Sequence, residues 1–154
     1  MSTRNIISKK KDYTSIQETK QEIFRIKGIP VILYAPRDYW LLTEEEKDRI
    51  CNGCGAQGKF DFIPDSIWFM SIEEVCSIHD FCYYSSRPCI KDKEEADRIF
   101  LSNMLRLIEA KTKWKWLRFL RRRRAYKYYL AVKYFGAPAF WVGKNKDENL
   151  GVVK

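Results

Sequence analysis

Apolar positions recur with a helical period in two stretches, residues 71–85 and 92–111, and with an extended pattern in one stretch nearer the start of the chain. The segment IFRIKGIPVILYAP, residues 23–36, is rich in β-branched side chains and interrupted at Gly28–Ile29–Pro30. It predicts a short extended segment or an edge strand. Before it, residues 1 to about 20 are polar, lysine-rich and without period, and read as a loose arm. Thr43 and Glu46 stand at capping-box spacing, predicting a short helix from Glu44 to near Ile50. CNGCGAQG follows, where Gly53, Gly55 and Gly58 demand a loop with unusual backbone angles, and Pro64–Asp65 then marks a turn.

Ser71 and Glu74 repeat the capping-box spacing and open a helix through about Ser85. Its apolar face runs Ile72, Val75, Cys76, His79, Cys82, Tyr83, so His79 points toward the core. Arg87–Pro88 ends it. Asp92 with Glu95 is expected to cap a third helix reaching about Lys111, with Ile99, Phe100, Met104, Leu107 and Ile108 as its stripe. At 100° per residue Asp97 falls among Leu101, Met104 and Ile108, so a carboxylate also faces inward. A fourth helix is expected from Thr112 to Phe135, with Gly136 and Pro138 as stop signals. The expected fold is mainly α.

Composition narrows the classes. In 154 residues, 45% hydrophobic and 32% charged positions are ordinary for a globular domain, and 15% aromatics can supply a core. The longest apolar run, near Ile29 to Ala35, is far short of a bilayer span. The N-terminus has no apolar signal core. The expectation is synthesis in the cytoplasm, after which the chain stays inside, leaves by lysis, or travels in a virion or through a secretion apparatus. The net charge of +9 is concentrated: ten Lys or Arg and no acid lie between Lys111 and Phe135, and the rest of the chain is close to neutral. Lys113, Lys115, Arg118, Arg121, Arg122, Arg123 and Arg124 alternate there with Trp114 and Trp116, and Tyr126, Tyr128, Tyr129 and Tyr134 follow. Such a mixture suits an anionic phospholipid surface, with nucleic acid as the alternative partner.

Two inward-facing ionisable groups are costly unless they meet. A hydrogen bond between His79 and Asp97 would set the imidazole tautomer and leave the other ring nitrogen as a general base. Asp80, one position on and rotated by about 100°, can aim at the glycine loop. Backbone carbonyls and a bidentate carboxylate are the hard oxygen donors Ca²⁺ prefers. The rival reading is zinc: Cys51, Cys54, Cys76 and His79 form a Cys3His set at plausible spacing, which would staple a basic nucleic-acid-binding module without catalysis. Five cysteines are an odd number, so at least one is free, bound to metal, or paired between chains.

Cys76-Ser-Ile-His79-Asp80-Phe-Cys82-Tyr83, preceded by Cys54-Gly55-Ala-Gln-Gly58 and followed by Asp97, resembles the phospholipase A2 superfamily over roughly Asn52 to Ile108. The sparse cysteine pattern is closer to bacterial or viral members, including virion-associated and toxin-like ones. The resemblance implies two antiparallel core helices behind a glycine-rich metal loop, within a domain at 39–142 that includes the basic helix 112–135. It leaves 1–38 as arm and extended segment and 143–154 as a tail. It implies His79 as the base that deprotonates water, Asp97 as its orienting acid and Tyr83 as a hydrogen-bond donor to that acid. It also implies Ca²⁺ held by Asp80 with the carbonyls of Gly53, Gly55 and Gln57, and a disulfide between Cys54 and Cys76. The implied reaction is hydrolysis of the sn-2 acyl ester of phospholipids. Asp97→Asn would then lower turnover without unfolding the chain. The departures from the family pattern are Val75 for a cysteine, Gln57 for a loop glycine, Gly53 for an aromatic, and Ala96 where Cys82 would find a partner.

Overall fold

The computed structural model describes residues 19–26, 28–51 and 63–141. It is mainly helical, as expected. The first elements are strands β1 (Thr19–Ile26) and β2 (Ile29–Pro36), which pair antiparallel with Ile26 opposite Ile29 and Thr19 opposite Pro36. The expected extended segment, residues 23–36, thus holds the end of β1, the turn and all of β2, and β1 starts inside the stretch read as arm. Gly28 turns the chain at φ +81°, where a side chain would be strained. Along β2 burial alternates as the pleat requires: Val31, Leu33 and Ala35 point inward, whereas Ile32 is exposed.

A 3-10 turn (Arg37–Leu41) buries Tyr39 and leads to α1 (Glu44–Ile50). Here the capping box forms as expected, with the Thr43 hydroxyl accepting from the Glu46 amide at 3.2 Å and Glu46 Oε2 from the Thr43 amide at 2.8 Å. After the glycine-rich stretch, which lies outside the described residues, a two-residue hairpin joins β3 (Ser66–Ile67) to β4 (Met70–Ser71). Then come α2 (Glu73–Ser85), α3 (Ile90–Lys111), α4 (Lys115–Phe135) and the single turn α5 (Ala137–Trp141).

Three helix starts differ from expectation, and at each a polar side chain near the expected cap is engaged elsewhere. Ser71 is one residue too early, paired in β4, and α2 begins after Ile72 with no side-chain cap. Glu74, which would have completed the box, instead accepts from the buried Tyr39 hydroxyl at 2.5 Å. Asp92 lies inside the first turn of α3. Its carboxylate takes the Arg87 backbone amide at 3.0 Å and the guanidinium at 2.9 and 3.0 Å, which clamps the α2–α3 connection. Thr112 precedes α4 and is buried, where Arg118 donates to its carbonyl and Arg121 to its hydroxyl. Gly136 ends α4 as expected, but Pro138 sits within α5, in its first turn, where a missing N–H is tolerated.

The core is built from Leu33 and Ala35 on β2, Val75, Ile78 and Cys82 on α2, Ala96, Phe100, Met104 and Leu107 on α3, and Ala125 and Val132 on α4. The β2–α3 seam is polar at one point. Asn103, fully buried on α3, accepts from the Tyr34 amide at 2.9 Å and donates to the Tyr34 carbonyl at 2.7 Å. Its side chain replaces the neighbouring strand that β2 lacks on that side. Asn103→Ala leaves two strand groups without these partners, and the expected loss is about 2–3 kcal/mol of unfolding free energy, read from urea titration.

Candidate functional site

His79 is carried inward on α2 by the same period that buries Val75, Cys76, Cys82 and Tyr83. Its imidazole lies between two rings, Tyr83 at 4.2 Å and Phe100 at 4.5 Å between centroids. Nε2 meets Asp97 Oδ1 at 2.9 Å. The Tyr83 hydroxyl donates to the same oxygen at 2.5 Å. His79, Tyr83 and Asp97 are all almost wholly excluded from solvent. The sequence placed these three residues in one interior, and the structure brings them into direct contact.

The fourth member is one that sequence reasoning missed. Lys93, 5% exposed, donates through Nζ to Asp97 Oδ2 at 2.8 Å, to the Val132 carbonyl at 3.0 Å and to the Lys133 carbonyl at 3.3 Å. All three ammonium donors are used. The available signal is its spacing, since Lys93 precedes Asp97 by one helical turn on the inward stripe of α3.

These contacts set the electrostatics. Burial acts to raise the Asp97 pKa, but hydrogen bonding and charge from His79, then Lys93 and Tyr83, outweigh it and hold the carboxyl below its ordinary range. Burial first, and the Asp97 charge second, push the Tyr83 phenol well up, so it remains a donor. Gly136 is required by this crowding, because a Cβ there would collide with the Val132 carbonyl and lie 2.6 Å from the Tyr83 hydroxyl. Phe140 of α5 closes the far side of Tyr83 edge-to-face at 5.2 Å.

Asp80 is half-buried on α2. Burial and then the charges of Asp80 and Glu74 push the Cys51 thiol up to about 12. Gly53, Cys54, Gly55 and Gln57 lie outside the described residues. Cys76 is disulfide-bonded, and Cys51, Cys82 and Cys89 are in no disulfide. Among the described residues no group of three or more His, Cys, Asp or Glu side chains is gathered to hold a metal.

Comparisons with protein-family models, with curated proteins and with solved structures return no match. The site therefore stands on its own geometry.

The basic segment splits into two populations. Arg121 is buried and donates to the Trp68 carbonyl at 2.9 Å, while Arg118 and Arg122 reach Glu109 on α3 at 3.2 and 2.6 Å. Tyr128 is buried and donates to the Ser66 carbonyl. These side chains fasten α4 down. Lys113, Trp114, Lys115, Trp116 and Arg123 are exposed, as is the flank carrying Arg122, and Arg124 lies over the Trp68 ring at 5.4 Å. The outward face adds Phe119, Tyr126, Lys127, Leu130 and Tyr134. Trp114 and Trp116 stack at 6.1 Å with rings 10° apart. Beside α4, Trp68 and Phe69 form the tip of the β3–β4 hairpin with φ of 43° and 65°. Two positive φ angles mark a type I′ turn, normally the place of Asn-Gly. Phe69 is 99% exposed.

Asp97→Asn does more than disturb His79, because it leaves the Lys93 ammonium buried without its counter-charge. The expected loss is about 3–5 kcal/mol by chemical denaturation, in place of the intact fold that the sequence alone suggests. The sign with pH follows from the lowered pKa. Asp97 stabilises the protein above the ordinary aspartate pKa, and that contribution fades as pH falls through its depressed folded value. A pH series of melts should therefore show a shallower acid slope in the variant.

Proposed function

We propose that the chain is a calcium-dependent phospholipase A2-like hydrolase that cleaves the sn-2 acyl ester of phospholipids at an anionic membrane surface. The observation that carries this reading is the shared oxygen, with Asp97 Oδ1 accepting from both His79 Nε2 and Tyr83. Such an arrangement suits a tautomer protonated at Nε2, with Nδ1 as the nitrogen that would handle a proton in this reading. The contacts of α2 with α3 run in opposite directions, His79 to Asp97 and Tyr83 toward Lys93, which suits an antiparallel pair of core helices.

In this reading His79 Nδ1 accepts a proton from water as the water oxygen adds to the ester carbonyl, and returns it to the departing alkoxide oxygen. Asp97 stabilises the imidazolium while the proton is held, and Tyr83 keeps the carboxylate in line. Asp80, a half-buried hard oxygen donor, would hold Ca²⁺ in this reading, with the carbonyls of Gly53, Gly55 and Gln57 as the further donors the resemblance implies. When bound, the ion would polarise the ester carbonyl as a Lewis acid. The zinc-stapled alternative would need Cys76 as a thiolate and the His79 ring as a ligand. A disulfide holds the first, so the hydrolase is favoured.

No described helix is long and apolar enough to cross a membrane. The outward face of α4 has instead the composition of a helix lying in an interface, with cations for headgroups and aromatic rings for the acyl boundary. No acid interrupts it. Phe69, held out at a turn that disfavours aromatic residues, adds an apolar tip to this surface.

Vesicles of anionic phospholipid with Ca²⁺ should release fatty acid. EGTA should abolish the release, and His79→Gln should lower it by at least about a hundredfold. Activity that survives His79→Gln overturns the reading. Phe69→Gly separates docking from folding. Relief of the left-handed backbone should raise stability by about 0.5–1 kcal/mol, while sedimentation with anionic vesicles should show weaker binding. A variant that binds as tightly as the unaltered protein removes Phe69 from the docking surface.

A further inference from the structure

Lys93 has no part in the proton chemistry above, yet it is a buried ammonium placed against the one carboxylate that the chemistry depends on. We infer that Lys93 is a positioning residue, whose ammonium holds Asp97 Oδ2 so that Oδ1 stays on His79 Nε2, and which ties that carboxylate to the end of α4.

The argument begins with the torsion of the aspartate. Rotation about χ2 of a carboxylate is soft, without sharp staggered wells. His79 and Tyr83 both draw on Oδ1 and leave the swing of Oδ2 to be set by something else. Lys93 Nζ supplies that second point at 2.8 Å from Oδ2, and two points define the carboxylate plane. The ammonium is itself immobile, because its other donors rest on the Val132 and Lys133 carbonyls in the last turn of α4. A helix C-terminus carries partial negative charge, so this turn is a natural seat for a cation. Lys93 thereby joins the helix that bears Asp97 to the helix that bears the outward basic and aromatic face. Its side chain also passes the Tyr83 ring, 5.8 Å from Nζ to the centroid.

The effect on turnover rests on the hydrolase reading, whereas the orientation of the imidazole does not. The chain has a single histidine, so its ring nitrogens can be read without assignment ambiguity. In long-range proton–nitrogen spectra at mildly alkaline pH, the unaltered protein should show one tautomer, protonated at Nε2. In Lys93→Met, which keeps the apolar stem and removes the cation, that single tautomer should give way to a mixture. In vesicle hydrolysis kcat should fall roughly ten- to a hundredfold with KM little changed. A second measurement needs no variant. In the unaltered protein the Lys93 ammonium protons should exchange slowly and show coupling across the hydrogen bond to the Asp97 carboxyl carbon.

A folded Lys93→Met protein that keeps the single Nε2–H tautomer overturns the proposal, whether or not hydrolysis is observed. A Lys93 ammonium that exchanges as fast as surface lysines overturns it too, even where the variant does not fold. If the tautomer shifts and the unaltered protein releases no fatty acid, the positioning role is upheld and the hydrolase reading is the one that fails.

Discussion

A lysine and an aspartate, both removed from water at the centre of a mostly apolar core, impose the strictest constraint on this fold. Withdrawing each ion from solvent costs several kcal/mol, and their attraction offsets this only if every remaining donor and acceptor is matched. Here the match involves three helices. Asp97 receives three donors, from α2 and from its own helix, and Lys93 reaches three acceptors, two of them on α4. A helix shifted by a fraction of a turn would strand a charge. The relative placement of α2, α3 and α4 is therefore determined by polar geometry as well as by the packing of Phe100, Met104 and Val132 around it.

The parts of this arrangement that were legible in the sequence are those set by local rules. The inward direction of His79 and Asp97 follows from helical spacing alone, as does the cap at Thr43, whose partner is three residues away. The misplaced helix starts have the opposite origin. Glu74 is taken by Tyr39, 35 residues earlier, and Thr112 is taken by arginines that fold back from the following helix. Lys93 was hidden because a lysine on an apolar stripe ordinarily extends its charge into solvent. Two of the three acceptors that keep its ammonium inside lie at the end of α4, some 40 residues on. The β3–β4 turn was hidden for a chemical reason. Trp-Phe carries none of the Asn or Gly signals by which type I′ turns are recognised.

The basic helix shows why a count of charges is a poor guide to a surface. In sequence, Arg121 and Arg123 are equivalent members of one run. In the structure a rotation of about 200° separates them, and Arg121 is a buried strut for the β3–β4 hairpin whereas Arg123 faces outward. The same helix is thus fastened by some of its cations and decorated by others. The anchored set holds the Trp68–Phe69 turn in its uncommon conformation, through the Trp68 carbonyl and the stacked Arg124.

The amide of Asn103 has an effect beyond the stability of its own seam. A two-stranded sheet ordinarily offers bare hydrogen-bonding groups along both margins, and such margins recruit further strands from other molecules. By occupying the amide and carbonyl of Tyr34, a side chain from α3 closes the middle of that margin to any incoming backbone. The sheet is thereby kept narrow on its helix side, and one carboxamide protects the fold against growth by strand addition there.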